Sequence, residues 1–126
     1  MLIGSSRRLR VFARTKPTDL RKGFSGLYGL VLNEFELDPT SGDFYLFVNR
    51  RRTLSKVLLW DGTGLCLFIK RLDRGQFAEL WRDSESKSLR LTKAELDLYL
   101  EGCKVVGKTA LSPPEILHEM VEIPDS

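Results

Sequence analysis

Apolar residues occupy alternate positions in the segment 9–14, a pattern typical of a short β-strand. Pro17 is expected to end this strand, because proline cannot donate a ladder hydrogen bond. Apolar residues then recur every three or four positions across residues 18–35, which predicts an amphipathic helix. Thr18 or Asp19 is the expected cap, since both side chains accept hydrogen bonds from free backbone N–H groups. The apolar stripe consists of Leu20, Phe24, Leu27, Val31 and Phe35.

Three glycines, Gly23, Gly26 and Gly29, interrupt this predicted helix. Each costs about 1 kcal/mol relative to alanine in a helix interior, so a compensating feature is expected. The glycines form an inclined row of small residues that a strand or a partner could approach closely. Local irregularity near the helix start is an equally good interpretation.

The middle of the chain predicts a three-stranded antiparallel meander. A concentrated turn signal at residues 38–42 precedes strands at 44–48, 54–60 and 65–72, all enriched in β-branched and aromatic residues. Connections of four or five residues join these strands, as hairpins require. We expect the sheet to bury one face, and the stripe of the helix at 18–35 is the expected cover.

The remaining chain divides at Gly102. A short strand is expected around residues 89–91, and Thr92 with Glu95 forms a capping box for a helix that Gly102 can close. The prediction is therefore one α+β domain over residues 1–102: a three- to four-stranded antiparallel β-meander packed against an N-terminal helix, with a smaller helical C-terminal part. Residues 103–126 are predicted to form an appendage with a short amphipathic helix.

Charge is distributed unevenly along the chain. Residues 1–74 contain 14 Lys+Arg and 7 Asp+Glu, a net +7, whereas residues 75–126 contain 6 and 10, a net −4, which together give the overall +3. A basic body suits a polyanionic partner. No apolar run is long enough to cross a bilayer and no signal peptide is apparent, so we predict a cytoplasmic protein with no membrane partner.

The sequence contains no constellation that indicates catalysis or metal binding. The two cysteines, Cys66 and Cys103, are far apart, and the single histidine, His118, lies in the appendage. We therefore expect neither a metal site nor a cofactor, and no enzymatic activity. The aspartates near turns are interpreted as turn or cap residues: Asp19, Asp38, Asp43, Asp61 and Asp73.

Basic residues at the tip of the first predicted hairpin are the sharpest functional signal. A two-stranded ribbon with a basic tip can reach DNA phosphates or enter a groove. A charged edge that only keeps the protein soluble is an equally good interpretation of the charge alone. The predicted nucleic-acid-binding residues are Arg14, Arg21, Lys22, Arg50, Arg51, Arg52, Lys56, Lys70, Arg71 and Arg74.

Three blocks of the chain, at residues 18–31, 38–77 and 91–102, resemble the TnpB-type accessory proteins encoded by the second open reading frame of IS66-family insertion sequences. The blocks read TDLRKGFSGLYGLV, DPTSGDFYLFVNRRRTLSKVLLWDGTGLCLFIKRLDRGQF and LTKAELDLYLEG. The positions that carry the resemblance include the basic residues Arg21, Lys22, Arg51, Lys56, Lys70, Arg71 and Arg74, the glycines Gly23, Gly26, Gly62, Gly64 and Gly75, and Asp61. No catalytic residue is implied by this family.

The resemblance implies a transposition accessory protein that is encoded beside a separate catalytic transposase. We expect it to bind insertion-sequence DNA through its basic sheet and hairpin surface. The alternative is a protein-interaction module that binds the transposase without contacting DNA. A homo-oligomer is compatible with either function, since an unpaired sheet edge can support self-association.

Overall fold

The computed structural model describes residues 9–83 and 85–102, which form a five-stranded mixed sheet and two helices. The predicted appendage at 103–126 lies outside the described residues. In the sheet the strands follow the order β4-β3-β2-β1-β5. The elements are β1 (Val11–Arg14), α1 (Phe24–Asn33), β2 (Phe44–Val48), β3 (Leu54–Trp60), β4 (Leu65–Arg71), β5 (Ser88–Leu91) and α2 (Lys93–Leu100).

The predicted meander is confirmed, because β2 pairs with β3 and β3 with β4 in antiparallel ladders. The prediction of a wholly antiparallel sheet of three or four strands was wrong. β1 lies parallel to β2 in the register Val11 to Phe44, and on its other side it pairs antiparallel with β5. The reason is the connection: a segment that contains α1 joins β1 to β2, and parallel strands need such a crossover.

The sheet is covered on both faces, which corrects the expectation of a single buried face. One face packs Tyr45, Phe47 and Leu58 under Leu27 and Val31 of α1. The other face buries residues of β1, β2 and β3 beneath the segment 77–81 and α2. All five residues of β2 are buried, as expected for a central strand with a layer on each side.

Helix α1 begins six residues later than predicted, at Phe24, and neither Thr18 nor Asp19 caps it. The backbone N–H of Thr18 instead donates to the carbonyl of Val48 at 2.9 Å, which fixes this segment beside the end of β2. Leu20 therefore packs with the stripe from a turn, outside the helix. At its C-terminal end the helix stops where Glu36 adopts a positive φ of 58°.

The C-terminal elements of the domain are as predicted. β5 covers the expected short strand, and Thr92 and Glu95 form the full capping box, each accepting a hydrogen bond from the other's backbone N–H. Gly102 follows α2 with a φ of +93°, a conformation that glycine adopts without strain. The hydroxyl of Tyr99 donates to the carbonyl of Ala78 at 2.7 Å, which ties α2 to the segment beneath it.

Candidate nucleic-acid interface

A cleft of about 1060 Å³ lies where the segment 17–21, the β2–β3 hairpin tip and the end of β4 meet. We call it the basic cleft, because four of the predicted site residues line it: Arg21, Arg50, Arg51 and Arg71. Its construction follows from two contacts. The Thr18 N–H bond to Val48 holds the segment 17–21 beside the hairpin, and Leu54 of β3 pairs with Arg71 of β4. The three segments are therefore neighbours in space although they are distant in sequence.

The β2–β3 tip is held in a defined shape by Asn49. Its side-chain carbonyl accepts the backbone N–H groups of Thr53 and Leu54 at 2.9 and 3.1 Å, and its backbone carbonyl accepts the N–H of Arg52. Arg50 and Arg51 are exposed in this turn. The tip therefore presents both guanidinium groups toward solvent from a hydrogen-bonded loop.

Arg52 differs from its two arginine neighbours in that it does not line the basic cleft. It adopts a positive φ of 59°, and its guanidinium donates to the carbonyl of Phe77 at 3.1 Å. Its own carbonyl accepts the Phe77 N–H at 2.7 Å. The structure thus engages Arg52 in joining the hairpin tip to the layer over the opposite face of the sheet.

Arg14 is also engaged inside the domain. Its guanidinium forms two hydrogen bonds with the carboxylate of Glu34, at 2.8 and 2.9 Å, and both side chains are largely shielded from solvent. The side-chain hydrogen bond from Arg14 holds the pKa of Glu34 below its usual value. Arg14 also donates to Pro17 and Thr18 at 3.1 and 3.2 Å, so it supports a wall of the basic cleft from behind.

Lys22 and Lys56 adjoin the cleft on the α1 side of the sheet. The Lys56 ammonium donates to the backbone carbonyl of Lys22 at 2.9 Å, which joins β3 to the turn before α1. The Lys22 side chain lies over Gly26, where an added Cβ would come within 2.9 Å of the Lys22 Cβ. The group that packs closely against the row of glycines is thus the aliphatic part of the Lys22 side chain, at Gly26.

Lys70 and Arg74 lie apart from the basic cleft. Residues 66, 68 and 70 of β4 direct their side chains to the face opposite α1, because side chains alternate along a strand and Leu65 and Leu67 pack on the α1 side. Arg74 is exposed in the turn that follows β4. The ten predicted residues thus separate into a cleft group, two adjoining lysines, two arginines bound internally and two residues elsewhere.

One carboxylate belongs to the basic cleft, although its residue was predicted from the sequence only to serve in a turn or a helix cap. Asp19 lines the cleft and accepts three side-chain hydrogen bonds from Arg21, the shortest 2.7 Å. This side-chain hydrogen bonding lowers the pKa of Asp19 well below its usual range, so the carboxylate is charged at neutral pH. With four arginines and one aspartate, the lining keeps a formal charge of +3.

Within residues 9–83 and 85–102, no group of histidine, cysteine and acidic residues is arranged to hold a metal ion. No helix in the same ranges is both long and apolar enough to span a bilayer. Cys103 and His118, considered above as possible ligands, lie outside the described residues.

Comparison with known proteins places this chain in a family. The profile of the IS66 Orf2-like proteins, also termed TnpB_IS66, matches residues 9–109. The chain belongs to the IS66 Orf2-like family. Two proteins of Sinorhizobium fredii (strain NBRC 101917 / NGR234) are similar to it, and both are uncharacterized. Over 101 residues, y4hO is 38% identical, covering 80% of this chain and 86% of its own; y4jC is 34% identical, covering 80% and 85%.

No solved structure gives a significant match to this IS66 Orf2-like protein. Family membership identifies a transposition accessory protein, distinct from the catalytic transposase. Two groups of the resembling positions have clear places in the structure: Arg21, Arg51 and Arg71 line the basic cleft, while Asp61 with its glycines forms the β3–β4 turn. The match also continues past Gly102 to residue 109, beyond the predicted end of the domain.

Proposed function

We propose that this IS66 Orf2-like protein assists transposition by binding insertion-sequence DNA in the basic cleft. The observation that carries the proposal is the convergence of Arg21, Arg50, Arg51 and Arg71 from three separate segments on one concave surface. Arginine is well suited to phosphate recognition, because its planar guanidinium can donate two parallel hydrogen bonds. A cleft with a formal charge of +3 attracts a polyanion and releases counterions when it binds.

The difference between arginines bound within the protein and arginines exposed to solvent supports this proposal. Arg14 and Arg52 are held by hydrogen bonds within the protein, which restricts their guanidinium groups to structural contacts. Arg50, Arg51 and Arg71 are exposed, and Arg21 keeps 91% of its side-chain surface exposed despite its contact with Asp19. All four arginines of the basic cleft are thus accessible to a ligand.

A triple substitution of Arg50, Arg51 and Arg71 with glutamine tests the proposal. Fluorescence anisotropy would measure binding of a labelled duplex carrying an element end, and of a scrambled duplex, over a salt series. If each arginine meets one phosphate, the slope of log affinity against log salt should flatten by up to about 2.7, since each neutralised phosphate contributes about 0.9. Arg52 is left in place because its replacement would also break contacts with Phe77.

The matched control replaces Arg74, Lys87 and Lys93 with glutamine, which removes the same charge from residues that do not line the cleft. Both variants should unfold at the wild-type temperature, because the substituted side chains are exposed. The control should keep most of the wild-type salt slope. Equal losses in the two variants would contradict a localised site and indicate attraction by net charge alone.

The protein-interaction alternative predicts a different set of results. In that case the wild-type protein would fail to bind either duplex at low salt and would co-purify with the element-encoded transposase. The arginine triple variant would then weaken that complex, because charged surfaces steer and stabilise protein partners as well as DNA. Such a result would replace DNA binding with transposase binding as the role of the basic cleft.

A further inference from the structure

Strand β4 is one edge of the sheet, and its outer side has no partner among the described residues. It is seven residues long, whereas β5 at the opposite edge has only four. A long unpaired edge presents free N–H and C=O groups to any strand that approaches it. The β4 edge is therefore the stronger site for strand addition.

The hydrogen bonds to β3 show which residues offer these groups. The N–H of Leu72 donates to the backbone carbonyl of Thr53, and at the other end of the hairpin the N–H of Asp61 donates to the backbone carbonyl of Gly64. Because hydrogen-bonded and non-hydrogen-bonded pairs alternate in an antiparallel ladder, the even-numbered residues of β4 point their backbone groups at β3. The odd-numbered residues point theirs at the free edge: Leu65, Leu67, Ile69 and Arg71.

Apolar side chains lie in the middle of this edge. Phe68 is 50% exposed and Ile69 is 53% exposed, and by strand alternation they project from opposite faces of the sheet. Edge strands that must remain single usually carry charges along their length. In β4 the charges are confined to one end, at Lys70 and Arg71.

We propose that β4 pairs with β4 of a second copy of this chain, antiparallel and centred on Phe68, to form a continuous ten-stranded sheet. Phe68 is the midpoint of the strand, so this register pairs all seven residues of each copy. Leu67 then faces Ile69 of the second copy as a hydrogen-bonded pair. The two Phe68 side chains form the central non-hydrogen-bonded pair, where side chains are closest.

Charge complementarity favours a second copy over other occupants. In the proposed register Lys70 of the second copy lies opposite Cys66, so like charges are never opposed. The Cys66 thiol lies 3.4 Å from a carboxylate oxygen of Asp61, which places that carboxylate near the incoming ammonium group. Each copy thus offers an acidic group at one end of β4 and basic groups at the other, as a two-fold interface requires.

The two-fold axis would run perpendicular to the joined sheet, because antiparallel pairing of identical strands keeps the same face on the same side. Both basic clefts lie on the α1 side, so the dimer would present two of them in one direction. The dimer itself rests only on β4 and does not depend on what binds the clefts.

Sedimentation velocity on the full-length protein tests the proposal. At micromolar concentrations the wild type should sediment as a dimer, with twice the chain mass of 14.4 kDa. Phe68→Lys should be monomeric, since it brings two like charges together at the axis. The control is Leu32→Lys on α1, a site of similar exposure at 45%, and it should remain dimeric. A monomeric wild type, or a Phe68→Lys variant that still dimerises, would overturn the proposal.

Disulfide trapping tests the register independently. In a chain with Cys66→Ser and Cys103→Ser, Phe68→Cys should form a covalent dimer on mild oxidation, because a central non-hydrogen-bonded pair brings the two Cα atoms to about 4.5 Å. The Leu32→Cys control in the same background should remain uncrosslinked. Equal crosslinking of the two variants would indicate random collision and refute the register.

Discussion

Replacing Asp43 with asparagine would test how β1 is held beside β2. Asp43 is fully buried, and its carboxylate accepts the backbone N–H of Arg10 at 3.2 Å and the guanidinium Nη2 of the same residue at 2.7 Å. The hydroxyl of Ser41 donates to it at 2.9 Å. Asparagine has nearly the same volume but no charge, so this substitution removes the ion pair without opening a cavity.

The buried contact sets the largest loss of stability to be expected, and the partial exposure of Arg10 reduces that loss. Breaking a buried ion pair costs about 3–5 kcal/mol, and one hydrogen bond to a charged group contributes about 1.5–3 kcal/mol. The Arg10 side chain keeps 41% of its surface exposed, so its guanidinium can return to water when it is released. We therefore expect a decrease of about 2–3 kcal/mol in the free energy of unfolding, which lowers Tm by about 10 °C.

The same contact predicts a dependence on pH. Burial by itself would raise the pKa of Asp43, but the hydrogen bonds from Arg10 and Ser41 outweigh it and hold the pKa below the usual 3.8. A carboxyl group whose pKa is lowered by folding stabilises the native state above its unfolded pKa, and loses that effect as pH falls through the native value. The difference between wild type and variant should be constant from pH 5 to 7 and shrink below about pH 4.

Urea denaturation followed by circular dichroism would measure these differences. The control is Asp97→Asn, which breaks the exposed pair between Lys93 and Asp97 on α2 and should change the midpoint several times less. An Asp43→Asn variant with a midpoint equal to that of the control would show that the buried pair does not stabilise the β1–β2 junction. A stability difference that grows below pH 4 would refute the assigned protonation state.

Two further substitutions separate function from stability. Asp19→Asn should tighten DNA binding several-fold in the anisotropy assay, because it removes the one carboxylate of the basic cleft and frees Arg21. Weaker binding would argue that Asp19 is needed to orient Arg21. Tyr99→Phe should lower the free energy of unfolding by about 1–2 kcal/mol in urea, since it leaves the Ala78 carbonyl without its donor; an unchanged midpoint would show that this carbonyl is satisfied in another way.

Local signals in the sequence predicted the parts of the fold that depend on contacts between residues close in sequence. The hairpins joining β2, β3 and β4 follow from turn residues and short connections, and the α2 start follows from the Thr92 capping box. The start of α1 was misplaced because Thr18 binds Val48, a tertiary hydrogen bond that overrides its capping preference. The parallel placement of β1 depends on contacts with β2 and β5 that no local pattern contains.

The candidate site was predictable in composition but only partly in geometry. Basic residues at the β2–β3 tip indicated a nucleic-acid surface, yet nothing in the sequence distinguishes Arg52 from Arg50 and Arg51. A positive φ at Arg52 and its contact with Phe77 separate it from the other two. The unbroken apolar run of β2 was an available signal for a strand covered on both faces, and it would have placed a layer opposite α1.

The anchoring of the hairpin tip changes the thermodynamics of any contact made there. A free arginine-rich loop loses backbone and side-chain freedom when it binds, and each ordered side chain costs about 0.5–1.5 kcal/mol. Here Asn49 on one side and the Arg52–Phe77 bonds on the other restrict the backbone before a partner arrives. The backbone of the loop is thus ordered by folding, and association needs to immobilise only the side chains of Arg50 and Arg51.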